Sequence, residues 1–254
     1  PPEAMKLALL ADVHANLEAL SACLEHARGL GMERAAVLGD LVGYGADPGP
    51  VVDAVAALVR AGGVAVRGNH DEAALAGGSD LMRHQAEKVV AWTRARLTEG
   101  QRAFLAGLPL VVREDRLLLA HASPELPADW IYVTDPGRAS RALRAAGEAP
   151  WVFCGHVHEP VLYTPGATAR PVPFRPVAGV AIPVPPRRRW LAVVGSAATA
   201  ASTAVVGSAA TAATSTVPPA SAGPSTSSET TGAPTTSTGA TGGPSPTVSA
   251  AGRA

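Results

Sequence analysis

Short apolar runs alternate with helical patterns through the first hundred residues. Lys6–Ala11 is apolar and ends in Asp12-Val13-His14, after which Asn16 precedes Leu17, Leu20, Leu24 and Ala27 at three-and-four spacing. That is a strand, a loop and a capped helix. Ala35–Leu38 is a second apolar run, closed by Gly39-Asp40; the loop Gly43–Pro50 then leads to a helix with Val51, Val55, Leu58 and Val59 on one face. Gly63–Val66 is a third, and it runs into Arg67-Gly68-Asn69-His70-Asp71. Glu72–Ala76 and Asp80–Leu97 read as helix, and Thr98 with Gln101 makes a capping box for a short helix, Gln101–Ala106. Strands alternating with helices at this spacing predict βαβ units and a mainly parallel sheet.

The second half has a different rhythm. Leu108–Arg113 and Arg116–Ala122 form a hairpin around Glu114-Asp115, Gly137–Ala146 is helical, and Trp151–Gly155 is a strand. Val161–Thr164 and Trp190–Val194 add strand patterns on either side of a proline-rich connection, Pro165–Pro186. From Val193 onward every residue is Ala, Ser, Thr, Gly, Pro or Val except Glu229 and Arg253, and Val193–Ala201 recurs unchanged as Val205–Ala213. This composition predicts a folded domain over residues 5–195 and a low-complexity tail over 196–254 that is largely disordered, from about Val205 and at the earliest from Gly195.

Composition removes several function classes. Lys+Arg and Asp+Glu balance at 21 each, so no global field recruits nucleic acid or an anionic membrane. Arg187-Arg188-Arg189 is a solvated turn rather than a nucleic-acid site. Apolar runs stay below the ~20 residues a membrane span needs. The N-terminus lacks the pattern of a signal peptide, and Met5 reads as the natural start. Cys23 and Cys154 lie in apolar surroundings without metal or disulfide spacing, which predicts buried thiols and a cytoplasmic protein.

What remains is a set of polar residues at strand ends: Asp12, His14, Asp40, Asn69, His70, His121, His156 and His158, drawn from five strands. In an α/β sheet the carboxyl ends of parallel strands converge on one crevice, so such residues can meet. The i, i+2 spacing of Asp12/His14 and His156/His158 puts each pair on one side of an extended chain. Gly39, Gly68 and Gly155 each precede a candidate ligand and allow tight backbone turns. Mixed Asp, His and Asn donors suit a borderline divalent metal such as Mn, Fe, Zn or Co. Setting His70 aside, the other seven exceed one tetrahedral site, whereas two ions sharing a carboxylate would use them all.

Asp-x-His, Gly-Asp, Gly-Asn-His-Asp, a lone His at a strand end and Gly-His-x-His, in that order, resemble the calcineurin-like metallophosphoesterase superfamily. Asp12-Val13-His14-Ala15-Asn16 and Gly39–Gly45 further resemble its small bacterial phosphodiesterase-like branch. The resemblance covers roughly residues 5–195 and implies a four-layer α/β/β/α sandwich of two mixed sheets. It implies metal-dependent hydrolysis of phosphoesters, by a phosphodiesterase or phosphatase working through a hydroxide between two divalent ions. Manganese is the first choice, with iron, zinc, cobalt or nickel as alternatives. Asp12, His14, Asp40 and His158 would hold one ion; Asp40, Asn69, His121 and His156 the other. His70 would protonate the leaving oxygen, oriented by Asp71, and Arg67 is a weaker candidate for phosphate. The partner implied is a small phosphoester, with no nucleic acid or membrane; a homo-oligomer is compatible with the sequence.

Each histidine alone is better read as structural, but five in ordered motifs require five coincidences. His26 and His84, in helices, keep the structural reading, and Cys154 is a small core residue before it is a thiolate ligand. Tyr44 either lines a cleft or packs locally. Gly43-Tyr44-Gly45 lacks the third glycine of a dinucleotide fingerprint, and no Gly-Lys-Ser/Thr occurs. The competing function is a non-catalytic metal-binding scaffold used for protein interaction. Members of the family continue past a Gly-Ser like Gly195-Ser196 into an ordered segment that completes the second sheet. The Ala/Ser/Thr repeat standing there predicts a missing edge strand in that sheet.

Overall fold

In the computed structural model, the residues described are 5–76, 84–114, 116–165, 170–184, 188–200, 202–207 and 211–216. The first strand, β1 (Leu7–Leu10), is followed by helix α1 (Leu17–Gly29), whose N-cap Asn16 accepts a hydrogen bond from the Ala19 N–H at 2.9 Å. Strand β2 (Arg34–Val37) leads to α2 (Pro48–Arg60), which starts on a proline, the residue whose missing N–H costs nothing at a helix start. Next come β3 (Val64–Ala65), α3 (Asn69–Ala76), α4 (His84–Arg96) and α5 (Glu99–Gly107), the last entered through the Thr98/Gln101 capping box. The hairpin β4 (Val111–Glu114) and β5 (Leu117–Ala120), helix α6 (Pro136–Ala145) and β6 (Trp151–Cys154) follow. The chain continues through β7 (Val161–Pro165), β8 (Pro171–Phe174), β9 (Ala181–Pro183) and β10 (Trp190–Val193). It then forms the short α7 (Ala197–Ala200), β11 (Ser202–Gly207) and β12 (Thr211–Thr216). Among the described residues no helix is long and apolar enough to cross a membrane.

The strands form two six-stranded sheets, in the orders β3-β2-β1-β11-β12-β9 and β4-β5-β6-β10-β7-β8. Both are mixed: β1, β2 and β3 are parallel, as are β5-β6 and β6-β10, and the other pairs are antiparallel. The uninterrupted apolar run of β1 reflects burial on both faces. Leu7 and Leu9 meet Leu119 and Phe153 of the second sheet, while Ala8 and Leu10 meet Leu20 and Leu24 of α1 and Val51 and Val55 of α2. On the far side Ala139, Ala142 and Leu143 of α6 cover Val152, Cys154 and Leu191. The order is helix, sheet, sheet, helix, the four layers that the resemblance implied.

Three expectations need correction. The composition break at residue 195 is not the end of the fold, because β11 and β12 lie inside the first sheet. β11 pairs antiparallel with β1, Leu7 opposite Val206 and Leu9 opposite Ala204, and β12 joins β11 to β9. The edge of β1 left free by β2 carries unpaired N–H and C=O groups that need a partner. A Val/Thr-rich segment supplies one, since β-branched residues fit a pleated sheet even in a sequence of low complexity. Secondly, the proline-rich connection contains β8 and β9, each at a sheet edge, where prolines interrupt no ladder. Thirdly, the segment after Gly195-Ser196 adds its strands, β11 and β12, to the first sheet, while an edge of the second sheet is β8. Residues 217–254, the remainder of the expected tail, lie outside the described residues.

Candidate metal centre

The loops after β1 and β2 are zipped together by their backbones: His14 N–H donates to the Asp40 carbonyl at 2.9 Å and Ala15 N–H to the Leu41 carbonyl at 2.8 Å. The same loops turn sharply. Among the described residues eight non-glycines have left-handed φ, and five of them are Asp12, His14, Asp40, His156 and His158, with φ between 49° and 69°. Asp and His visit this region more readily than bulky or branched residues, yet each still carries a cost that the surrounding structure has to meet.

The glycines before the candidate ligands show why the loops can approach so closely. A Cβ on Gly68 would lie 2.2 Å from the Asp40 amide nitrogen and Oδ1; one on Gly39 would lie 2.8 Å from His121 Nδ1; one on Gly155, 2.8 Å from Asp12 Oδ2. Each glycine makes room for a polar side chain on a different strand. Close approach, more than turning, is their contribution.

All seven candidate ligands converge. His14 Nε2 lies 3.1 Å from His158 Nε2, and His158 Nε2 lies 3.3 Å from Asp12 Oδ1. His121 Nε2 lies 3.0 Å from Asn69 Oδ1 and 3.1 Å from His156 Nδ1. Asp40 stands between the two groups, its Oδ2 3.8 Å from His14 Nε2 and 3.4 Å from His121 Nε2. Asp12, His14, Asp40, His121 and His156 are all buried.

The far nitrogens of these rings set their tautomers. His121 Nδ1–H donates to the Leu38 carbonyl at 2.7 Å, His156 Nε2–H to the Trp130 carbonyl at 3.0 Å, and His14 Nδ1–H to the Val42 carbonyl at 3.3 Å. In the neutral rings that assignment leaves His121 Nε2 and His156 Nδ1 as facing lone pairs, and turns the His14 Nε2 lone pair towards His158. Lone pairs held 3.1 Å apart in a buried pocket fit a shared cation, and carbonyl-anchored imidazoles are the usual support of metal-binding histidines. Two of the rings are neutral as ligands must be, because burial holds His14 and His156 down at about 4. Burial also opposes charge on His121, but Asp40 outweighs it and lifts the ring to about 9, so without a metal this ring carries a proton whose place at Nε2 a bound cation would take.

His70 reaches the same cleft. Its backbone N–H donates to Asp40 Oδ1 at 2.9 Å, its ring centroid lies 5.0 Å from that of His14, and it lines a cavity of about 280 Å³ with Asp40, Asn69, His156 and His158. Asp71 makes no hydrogen bond to its ring Nδ1. The Asp71 carboxylate is fully buried and accepts from Leu41 N–H and Val42 N–H on Oδ1 and from Gly68 N–H on Oδ2. Both residues lie in α3, where consecutive side chains point to different faces, so one turns to the cleft and the other inward. Burial and then the Asp40 charge push the Asp71 carboxyl up to about 7, against the N–H donors that favour its charge. Arg67 also points elsewhere, pairing with Glu72 Oε2 at 3.0 Å and donating to the Ala106 carbonyl. Cys154 is a buried free thiol, pushed up to about 12 by burial, as is a core residue rather than a ligand. His26 lies in α1 and His84 at the start of α4.

A family model, the calcineurin-like phosphoesterase superfamily domain, matches residues 5–214. The chain belongs to the calcineurin-like phosphoesterase superfamily. The match extends through β11 and into β12. A curated relative, an uncharacterized protein (MJ0912) of Methanocaldococcus jannaschii, is 31% identical over 159 residues, 61% of this chain and 63% of that protein. The chain thus spans less than two thirds of that relative's length. The crystal structure of a metallophosphoesterase from Sphaerobacter thermophilus has a TM-score of 0.73 at 29% identity, covering 85% of this chain and 89% of that one. A hypothetical protein, PH1004, from Pyrococcus horikoshii shares the fold at a TM-score of 0.63 and 18% identity, over 80% of this chain and 83% of that one.

Within this phosphoesterase fold, several supports carried no readable motif. Ser196 donates its hydroxyl to the Asp12 carbonyl at 2.9 Å, and its N–H reaches the His158 carbonyl at 3.3 Å, tying β10's exit to both loops. The Trp130 carbonyl anchors His156, and Tyr132 stacks on the same ring at 3.8 Å. Gly195-Ser196 at a strand end was the available cue for the first; a backbone carbonyl leaves no cue at all.

Proposed function

We propose that this chain hydrolyses phosphoesters with two divalent metal ions, one held by Asp12, His14, Asp40 and His158 and the other by Asp40, Asn69, His121 and His156. When bound, such a pair supplies Lewis acidity at phosphoryl oxygens and acidifies a water, manganese being the first choice for this mix of oxygen and imidazole donors. The observation that supports the reading most is the facing of His121 Nε2 and His156 Nδ1 at 3.1 Å, each with its other nitrogen committed to a carbonyl. Asp40, within 4 Å of a histidine from each group, is the residue that would serve both ions.

The chain's own residues do the positioning. His70 donates a ring N–H to the oxygen that leaves phosphorus and stabilises its developing charge. Gly43 lets that ring approach, since a Cβ there would lie 2.6 Å from His70 Nδ1. Asp71 acts one step removed, holding the start of α3 to the Leu41-Val42 loop so that His70 faces Asp40.

Purified protein loaded with Mn²⁺ should hold two ions per chain and hydrolyse bis-p-nitrophenyl phosphate or p-nitrophenyl phosphate. His70→Ala should keep both ions and lose about 10²–10⁴ in turnover. Two bound ions without turnover of either ester would refute the proposal.

A further inference from the structure

A second cavity, of about 610 Å³, adjoins the cleft and shares two of its walls, Tyr44 and His158. Tyr44 stands at the junction. Its φ is +61°, a conformation that bulky residues seldom hold, and its ring packs 4.7 Å from His14 and 4.5 Å from His70 while remaining 64% exposed. Gly45 N–H, bonded to the His14 carbonyl at 2.9 Å, fixes the loop in that pose. An exposed aromatic ring held against two site histidines thus borders both cavities.

The cavity beyond it has a definite chemistry. Asn16, Glu18 and Asp47 line it, and no lysine or arginine is among its described walls. Asp47 precedes α2 at the N-cap position yet makes no side-chain capping bond, so its carboxylate is not committed to the helix. The charged side chains on the cavity's described walls are thus the carboxylates of Glu18 and Asp47, with His14 and His158 on the side shared with the metal-ligand cluster.

We infer that Tyr44 steers one ester substituent of the substrate into this cavity, and that the cavity accepts a neutral or cationic substituent and rejects an anionic one. The inference rests on the phosphoesterase reading and adds a substrate class to it: phosphoesters whose organic group carries hydroxyls or an ammonium, in preference to those carrying a further phosphate or carboxylate. Glu18 and Asp47 set the sign of the selection, and Tyr44 is a positioning residue.

The test uses the full chain loaded with Mn²⁺ and three p-nitrophenyl phosphodiesters with a common leaving group. Their second substituent is 2-(trimethylammonio)ethyl, its neutral isostere 3,3-dimethylbutyl, or 2-carboxyethyl. The expected kcat/KM order is cationic, neutral, anionic, with about five-fold between the extremes at low salt, shrinking at 1 M NaCl. The double variant Glu18→Gln/Asp47→Asn should flatten that order, the ratio between substrates being the quantity read. Tyr44→Asn, which tolerates left-handed φ, should also flatten it without lowering Tm, and Tyr44→Phe should restore it. Turnover of bis-p-nitrophenyl phosphate with an equal or reversed order across the series, or with none of the series hydrolysed, would overturn this inference and leave the proposed function standing. An order unchanged in the double variant would do the same. No turnover of any ester with two ions bound would overturn both.

Discussion

Gly68→Ala adds one methyl group at the most crowded point of the centre. The new Cβ would lie 2.2 Å from both the Asp40 amide nitrogen and Oδ1, and 2.9 Å from Cγ. Comfortable contact needs about 3.5 Å, so one partner has to move by about 1 Å. Asp40 has little freedom: its Oδ1 accepts from His70 N–H, its carbonyl from His14 N–H, and its φ is already +52°. Gly68 is held as well, through its N–H bond to Asp71 Oδ2. Overpacking of this kind costs about 1–3 kcal/mol, or about 2–12 °C in Tm for a domain of this size. The larger effect falls on chemistry, because a displacement of about 1 Å at a reacting group costs about 10²-fold in rate. kcat/KM on bis-p-nitrophenyl phosphate, metal content and Tm should be measured together. Gly100→Ala is the control: that Cβ meets nothing within 4 Å, and the substitution should stabilise α5 by about 0.5–1 kcal/mol. Gly68→Ala protein with two ions and kcat/KM within about two-fold of the parent would refute the close-approach argument, since the contact predicts a loss near 10²-fold.

Asp71→Asn replaces an acceptor by a donor opposite Gly68 N–H or the Leu41-Val42 pair, and should cost about 1–3 kcal/mol in urea unfolding while weakening metal retention. A chain ending at Ala201 loses the strand beside β1 and should show a lower Tm and a tendency to aggregate, whereas one ending at Val217 should match the full chain. Arg34 grips Glu114 through two bonds, of 2.6 and 3.0 Å, joining β2 of one sheet to β4 of the other. The Arg34 bond outweighs burial and depresses the Glu114 pKa, so the pair's contribution is present above about pH 4.3 and is lost as pH falls through the folded value. Glu114→Gln should therefore remove about 0.5–1 kcal/mol at pH 6 and less at pH 3, read by urea titration at both.

The strand ends were legible because polar residues follow apolar runs abruptly there: Leu10-Ala11-Asp12, Leu38-Gly39-Asp40 and Cys154-Gly155-His156 each mark where a buried strand meets a cleft. Asp71 was misread because adjacency in sequence stood in for adjacency in space, and a helix turns neighbours apart. The repeat was misread for a related reason. The first copy, Val193–Ala201, ends β10, turns at Gly195-Ser196 and enters α7; the second, Val205–Ala213, lies in β11 and β12 on either side of residues 208–210. The described parts of the two copies take different forms because β1 has a free edge, which β11 meets, and the Asp12 loop has free carbonyls, which Ser196, Ala197 and Ala198 meet. Composition records neither partner.

The left-handed turns at Asp12, His14, Asp40, His156 and His158 carry a consequence for how the protein handles metal. Those poses are held by backbone hydrogen bonds that form on folding, such as His14 N–H to the Asp40 carbonyl and Asp12 N–H to the Gly39 carbonyl. The entropy of gathering the donors is thus spent before any ion arrives. Metal capture becomes a rigid fit to a finished mould, so ions should exchange without the fold opening, and the mould's dimensions, rather than its flexibility, choose among them.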